Sequence, residues 1–171
     1  MEQTFTSKNT SINSNKLPVL FSKASKLNVW TKDAINLDIG GGKFDNVSLF
    51  LSSEHKVTNL IYDPFNRSEE HNAAIITMAK GAKVDTVSLS NVLNVIDSES
   101  AQEDLIRLAD ECLKENGTLI VAVYEGDRTG VGRQTGRDQW QENRTIDSYL
   151  SMIKKYFPRI TLKNKVIYAS K

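Results

Sequence analysis

The run LIVAVY, Leu119 to Tyr124, constrains this chain more than any other feature. It is strand-sized and nearly continuous in apolar residues, as expected of a strand buried on both faces. Such strands sit in mostly parallel sheets with helices on either side. The longest apolar stretches are of this size, so none is a membrane span.

The rest of the chain alternates to match. Pro18 suits the first turn of a helix whose apolar stripe is Leu17, Leu20, Phe21, Ala24 and Leu27. Ile35, Leu37 and Ile39 alternate into a short strand that stops at Gly40-Gly41-Gly42. A helix carrying Phe44, Val47, Leu49, Phe50 and Leu51 follows. A second strand, Val57 to Tyr62, ends at Asp63-Pro64. Ser68 to Lys80 reads as a helix stopped by Gly81. Val84 to Val92 reads as a third strand. Ser100 and Glu103 have capping-box spacing before a helix with Leu105, Ile106, Leu108, Ala109, Cys112 and Leu113 on its core face, closed by Gly117. Glu125 to Asn143 is polar and holds four glycines. Thr145 to Tyr156 is again helical, and Ile160–Leu162 and Val166–Ala169 form a closing strand pair turned at Asn164. The expectation is an α/β, doubly wound, mostly parallel sheet with an antiparallel last strand.

A chain of 171 residues fits one domain, 1–171, and buries roughly 70% of its unfolded surface without a metal or disulfide staple. Its single cysteine, Cys112, excludes a disulfide framework within the chain and any CxxC zinc site, and suits a reducing compartment. His55 and His71 form no metal constellation. The first 15 residues are polar and show no secretory signal, so they read as a flexible segment, and the expected location is cytoplasmic. The net charge of +1 argues against a surface that grips nucleic acid all over. The charge is nonetheless uneven. Met1–Lys32 holds five Lys and one Glu, Asp85–Asp127 ten acidic and two basic residues, and Ser148–Lys171 six basic residues and no acid.

In a doubly wound sheet, ligands bind beyond the carboxyl ends of the strands where strand order reverses. Asp38-Ile39-Gly40-Gly41-Gly42 stands at such an end, and its glycines let backbone approach a ligand. Asp63, at the end of the next strand, is placed to accept ribose hydroxyls. Together they point to an adenosine-containing cofactor. A dinucleotide fingerprint would carry its third glycine where this chain has Asp45, whose charge opposes a pyrophosphate. A sulfonium cofactor meets no such objection, and Asp38 favours it electrostatically.

The segments INLDIGGGKFDNVSLFL, VTNLIYDPFN, VDTVSLSNVLNVID and LIRLADECLKENGTLIVAVYEGD resemble successive motifs of class I S-adenosylmethionine-dependent methyltransferases, from about Ile35 to Asp127. NTSINSNKLP and GRQTGRDQWQENRTIDSYL are similar to segments of small phage and bacterial proteins of that kind. The resemblance implies a Rossmann-like methyltransferase fold with S-adenosylmethionine as cofactor. It implies that Asp38, Gly40, Gly41 and Gly42 form the methionine-side loop and Asp63 holds the ribose. Pro64 and Phe65 would pack near the adenine, and Asn91 and Val92 would line the floor near the methyl group. Two departures stand out. Phe44 occupies the place of a third glycine, and the short gap before Val84 leaves room for one strand fewer than usual.

Methyl transfer from a sulfonium needs in-line positioning more than a catalytic group, so no catalytic residue is assigned. Cys112, on a helix core face, reads as packing rather than as a nucleophile. No D/N-P-P-Y/F motif follows the third strand, which reads Ser90-Asn91-Val92-Leu93. The segment 125–144 is expected to be a substrate lid, with Tyr124, Glu125, Arg133, Arg137, Trp140 and Arg144 contacting the acceptor. Lys8 and Lys16 are placed to fold over the cofactor and pair with its carboxylate. The acceptor expected from the arginines and Trp140 is a nucleotide or nucleic-acid group. The alternatives are a small metabolite, or a non-catalytic binding domain on the same fold. No metal or membrane partner is expected, and the chain is expected to be a monomer or weak homodimer.

Overall fold

In the computed structural model, which describes residues 3–8 and 16–171, the apolar run from Leu119 lies inside a six-stranded sheet. In chain order the elements are α1 (Val19–Lys26), β1 (Ile35–Ile39), α2 (Asn46–His55), β2 (Thr58–Tyr62), α3 (Glu69–Ala82), β3 (Val84–Ser90), α4 (Glu99–Cys112) and β4 (Leu113–Ala122). A small hairpin, β5 (Arg133–Gly136) and β6 (Gln139–Gln141), comes next. Then follow α5 (Leu150–Lys154), β7 (Arg159–Lys163) and β8 (Val166–Ser170). The sheet order is β2-β1-β3-β4-β8-β7. The first four of these strands are parallel, and β8 runs antiparallel to both its neighbours. α3 leads from β2, at the sheet edge, directly to β3, so the sheet has the expected shortage of one strand.

Alternation along the strands sorts the core into two layers. Leu37, Ile39, Val87, Leu89, Leu119 and Val121 face α3, α4 and α5. Ile120 and Val166 face α1 and α2, where Leu20, Phe21, Ala24, Val47 and Leu51 are buried with Trp30. The chain leaves β1 for β2 on one side and returns to β3 on the other. The switch point therefore lies between β1 and β3.

Several boundaries differ from the sequence expectation. α3 continues through Gly81 to Ala82 and is capped by Lys83, whose φ of 62° turns the chain. A glycine near a helix end costs only about 1 kcal/mol relative to alanine, too little to stop a helix whose inner face packs on the core. The cap of α4 is Ser98, which accepts from the Ala101 amide, and not Ser100. Glu103 instead accepts from Lys155 Nζ and Tyr156 Oη, at 3.0 and 2.9 Å. α4 passes straight into β4, so Gly117 lies within that strand. The expected helix from Thr145 divides into a 3-10 turn, Ile146–Tyr149, and the short α5. Asn164 and Lys165, both at positive φ, make the hairpin turn between β7 and β8.

The polar stretch expected as a substrate lid loop contains regular structure. β5 and β6 pair within it, and Asn143, 2% exposed, ties it together. The Asn143 amide donates to the Val131 carbonyl and accepts from the Asp127 amide. Part of the N-terminal segment expected to be flexible is also docked. Thr6 donates to Asp138 through its amide and its hydroxyl, and the Ser7 amide reaches the Asp138 carbonyl. Phe5 stacks on Trp140, with ring centroids 5.5 Å apart. Residues 1–2 and 9–15 of that segment lie outside the described residues. Among the described residues, no helix is long and apolar enough to cross a membrane, and no group of three or more metal-ligating side chains occurs.

Candidate functional site

A cavity of about 450 Å³ opens at the carboxyl ends of β1, β2 and β3. Each residue expected at the cofactor lines it: Asp38, Gly40, Gly41, Gly42, Asp63, Pro64, Phe65, Asn91 and Val92. The docked N-terminal segment forms part of its wall through Gln3, Thr6, Ser7 and Lys8, and Lys16 joins them.

The glycine turn is demanding. Gly40 sits at φ +73°, and a Cβ there would lie 2.6 Å from Val92 Cγ2. Its amide donates to the Tyr62 carbonyl at 2.7 Å, which ties the end of β1 to β2. At Gly41 a Cβ would lie 2.6 Å from Asp38 Oδ2. The backbone here leaves no room for side chains, so the Asp38 carboxyl stays open toward the cavity.

The two carboxylates differ in surroundings. Asp38 is 2% exposed and accepts the Ser88 hydroxyl on Oδ1 at 2.9 Å. Among the described residues nothing else donates to it. Burial pushes its pKa up to about 7; Ser88 opposes the rise, Asp63 adds to it, and Arg67 opposes it. Asp63 is committed to the chain itself. Its Oδ2 accepts from the Gly42 amide and the Asn66 side chain, and its Oδ1 from the amides of Phe65 and Asn66. These four bonds fill the acceptor positions of one carboxylate. A ribose hydroxyl would have to displace one of them, most simply the Asn66 side-chain amide at 3.1 Å. Asp63→Ala should therefore lower unfolding stability by about 2–4 kcal/mol, since buried donors lose a charged acceptor. An unchanged urea midpoint would show that Asp63 does not brace the loop.

Arg67 was not singled out from the sequence. Its Nε donates to the Gly42 carbonyl at 2.8 Å, and one terminal nitrogen reaches the Phe44 carbonyl and the Asp45 carboxylate. It clamps the turn from outside, and Asp45 is thereby paired. No local pattern announces this role, which depends on how β2 packs beside β1.

The expected acceptor residues are not brought together. Tyr124 lines the cavity. Glu125 accepts from the Ile146 amide and pairs with Lys165 at 2.9 Å and Arg128 at 3.2 Å. Lys165 and the Ile146 amide hold its carboxyl below the usual range. Arg133 pairs with Asp127 at 3.1 Å, and Arg137 is exposed on the hairpin. Trp140 is taken up by Phe5. Arg144 lies over the Tyr149 ring, 4.3 Å from its centroid, and bonds Ser148. The hairpin instead delivers Gln141 to the cavity. The Gln141 amide donates to the Tyr124 carbonyl and accepts from Asn94, another lining residue. Three of the six basic residues of the C-terminal stretch, Lys155, Lys165 and Lys171, pair with Glu103, Glu125 and Asp110. Lys8 and Lys16 do reach the cavity wall.

Cys112 is buried and its thiol is pushed up by burial, which suits packing. His55 bonds Ser25, and His71 donates to the Ile61 carbonyl; neither lines the cavity.

No protein-family model matches the chain, and no curated protein matches its sequence. Solved structures do match its fold. An O-methyltransferase family protein from Burkholderia thailandensis superposes with a TM-score of 0.64 at 15% identity, over 89% of this chain and 55% of that one. This chain thus spans about half the length of that neighbour. The 1,6-didemethyltoxoflavin-N1-methyltransferase from the same organism, with bound 1,6-didemethyltoxoflavin and S-adenosylhomocysteine, gives 0.55 at 15% identity, over 88% and 74%. A TehB-like S-adenosylmethionine-dependent methyltransferase from Corynebacterium glutamicum gives 0.51 at 11% identity, over 95% and 91%.

Proposed function

We propose that this chain, whose fold is that of the S-adenosylmethionine-dependent methyltransferases, binds S-adenosylmethionine in the cavity at the ends of β1, β2 and β3 and methylates a small molecule. The observation that carries the reading is the open oxygen of buried Asp38 above a turn that admits no side chain at Gly40 or Gly41. A carboxyl so placed calls for a cationic or hydrogen-bond-donating ligand group. The cofactor's ammonium and sulfonium supply positive charge, and its carboxylate suits Lys8 and Lys16, which line the same cavity. The cavity volume falls within the range of about 300–1,000 Å³ usual for small-ligand sites. A dinucleotide would bring its pyrophosphate toward Asp38 and Asp63, an arrangement that costs energy at close range.

Within this reading the cofactor's sulfonium supplies the methyl group. The chain contributes placement. Asp38 orients the amino-acid end, Val92 packs on Gly40 to set the floor, and Gln141 with Asn94 and Tyr124 faces the acceptor side. Placement of this kind carries much of the catalysis of a displacement with a good leaving group.

A small acceptor is favoured over a nucleic acid by the fate of the arginines. Arg133 and Arg144 are engaged away from the cavity, and none of Arg133, Arg137 and Arg144 lines it. The 1,6-didemethyltoxoflavin-N1-methyltransferase, which holds 1,6-didemethyltoxoflavin beside S-adenosylhomocysteine, supports the same choice. The test is transfer of labelled methyl from S-adenosylmethionine to a panel of small heteroaromatic, hydroxyl and amine compounds beside RNA and DNA oligonucleotides. Label is expected in a small compound. Label confined to the oligonucleotides would return the acceptor to the nucleic-acid class. Cofactor binding with no transfer to any compound would favour a binding domain.

A further inference from the structure

A row of polar side chains crosses the otherwise apolar centre of the sheet. Asn36 and Asp38 alternate on β1, and Thr86 and Ser88 stand opposite them on β3, in register. Asn59 of β2 pairs with Asn36 from the other side. Asn36, Asp38, Thr86 and Ser88 are all buried.

The hydrogen bonds in this row run in one direction. The Thr86 hydroxyl donates to Asn36 Oδ1 at 2.7 Å. That leaves Asn36 Nδ2 to donate to Asn59 Oδ1 at 2.8 Å and to Ser88 Oγ at 3.0 Å. Ser88, already an acceptor, turns its own proton to Asp38 Oδ1. Reversing the Asn36 amide would set its oxygen against Asn59 Oδ1, whose own amide nitrogen is committed to Ser48 on α2 at 3.1 Å. Asn36, Asn59, Thr86 and Ser88 each have a partner, so the row is rigid up to Asp38 and its polarity is fixed.

We propose that Ser88 is a positioning residue: oriented by Asn36, its hydroxyl holds Asp38 as the carboxylate that receives the ammonium group of S-adenosylmethionine. The ligand named here rests on the cofactor reading above. The role goes beyond it, because Ser88 does not line the cavity and acts only through Asp38. The other charged or titratable groups around Asp38 are Asp63 at the end of β2 and Arg67 in the turn after it. Tyr62, Lys8 and Lys16 share the cavity wall. The α2 residues at the wall, Asn46 and Val47, carry no charge.

Two measurements test this. In the ligand-free protein, carboxyl-carbon NMR should place the Asp38 midpoint near 7. Ser88→Ala should raise that midpoint by about one pH unit, the size expected when a charged group loses one hydrogen bond. Ser88→Thr, which keeps the hydroxyl, should restore it. In calorimetric titrations with S-adenosylhomocysteine, which carries the same ammonium, wild-type affinity should fall by up to about tenfold per pH unit below the midpoint. The Ser88→Ala curve should be displaced to higher pH and meet the wild-type curve in alkaline solution. An unmoved Asp38 midpoint overturns the proposal. So does an affinity loss that is equal at every pH, the mark of a merely structural serine. Failure of the folded wild type to bind S-adenosylhomocysteine at any pH overturns the cofactor reading and the ligand named here. The NMR midpoint separates that failure from a failure of Ser88.

Discussion

Asp38→Asn should make the ligand-free protein more stable in mildly alkaline solution and at the same time weaken cofactor binding at least tenfold. Burial raises the folded pKa of Asp38 from 3.8 to about 7. A carboxyl raised in this way binds its proton more tightly folded than unfolded. Its contribution to stability is therefore fully present below the unfolded pKa, and it is lost as pH rises through the folded value. Asparagine has nearly the same shape, can still accept the Ser88 hydroxyl, and carries no charge to bury. The variant should gain on the order of 2–4 kcal/mol over wild type at about pH 8, with the difference vanishing toward about pH 4. Carboxylates with lowered pKa, such as Asp85 beside Lys114 and Asp97 beside Thr4, make stability fall in acid. They are present in both proteins and cancel in the comparison. Urea unfolding at the two pH values gives the stability arm, and calorimetry should show at least a tenfold loss of S-adenosylhomocysteine affinity, since one charged contact is removed. A variant less stable than wild type in alkaline solution would contradict the view that Asp38 is held at a cost for the sake of a ligand.

Gly40→Ala should be the most damaging single-methyl change near the cavity. The residue stands at φ +73°, where an L side chain is strained, and the new Cβ would lie 2.6 Å from Val92 Cγ2. The expected loss is about 2–4 kcal/mol of unfolding stability, with cofactor affinity lost alongside. Val92→Ala removes the steric part and leaves the backbone strain. The double variant Gly40→Ala/Val92→Ala should therefore be more stable than the sum of the single changes predicts, by about 0.5–3 kcal/mol. Additive losses in urea unfolding would show that Val92 does not set the limit on this turn.

The parts of the molecule legible in the sequence are those written in local chemistry. Alternation in β1, the continuous apolar run in β4 and the glycines after Ile39 each act over a few residues. They were enough to give the sheet, its switch point and the residues that line the cavity. The polar hairpin was not legible, because neither of its faces is apolar. Its partners, Thr6, Ser7 and Phe5, lie more than a hundred positions away. For the same reason the arginines of that segment looked available for an acceptor, although Asp127 and Tyr149 take up two of them. Ser88 and Asn36 are 52 positions apart, and only the parallel register of β1 and β3 joins them. A trace of the row did exist in the sequence. Asn36 with Asp38, and Thr86 with Ser88, put polar side chains at every second place among the apolar residues Leu37, Ile39, Val87 and Leu89, a pattern that in a buried sheet implies a hydrogen-bonded network.

The most direct measurement of the central claim is equilibrium binding of S-adenosylhomocysteine to the purified chain, with S-adenosylmethionine as competitor and NAD as the comparison ligand. One-to-one, saturable binding of S-adenosylhomocysteine, displaced by S-adenosylmethionine and weakened at least tenfold in Asp38→Asn, is the predicted result. Binding of NAD in its place, or no binding of S-adenosylhomocysteine by the folded protein, would contradict the account.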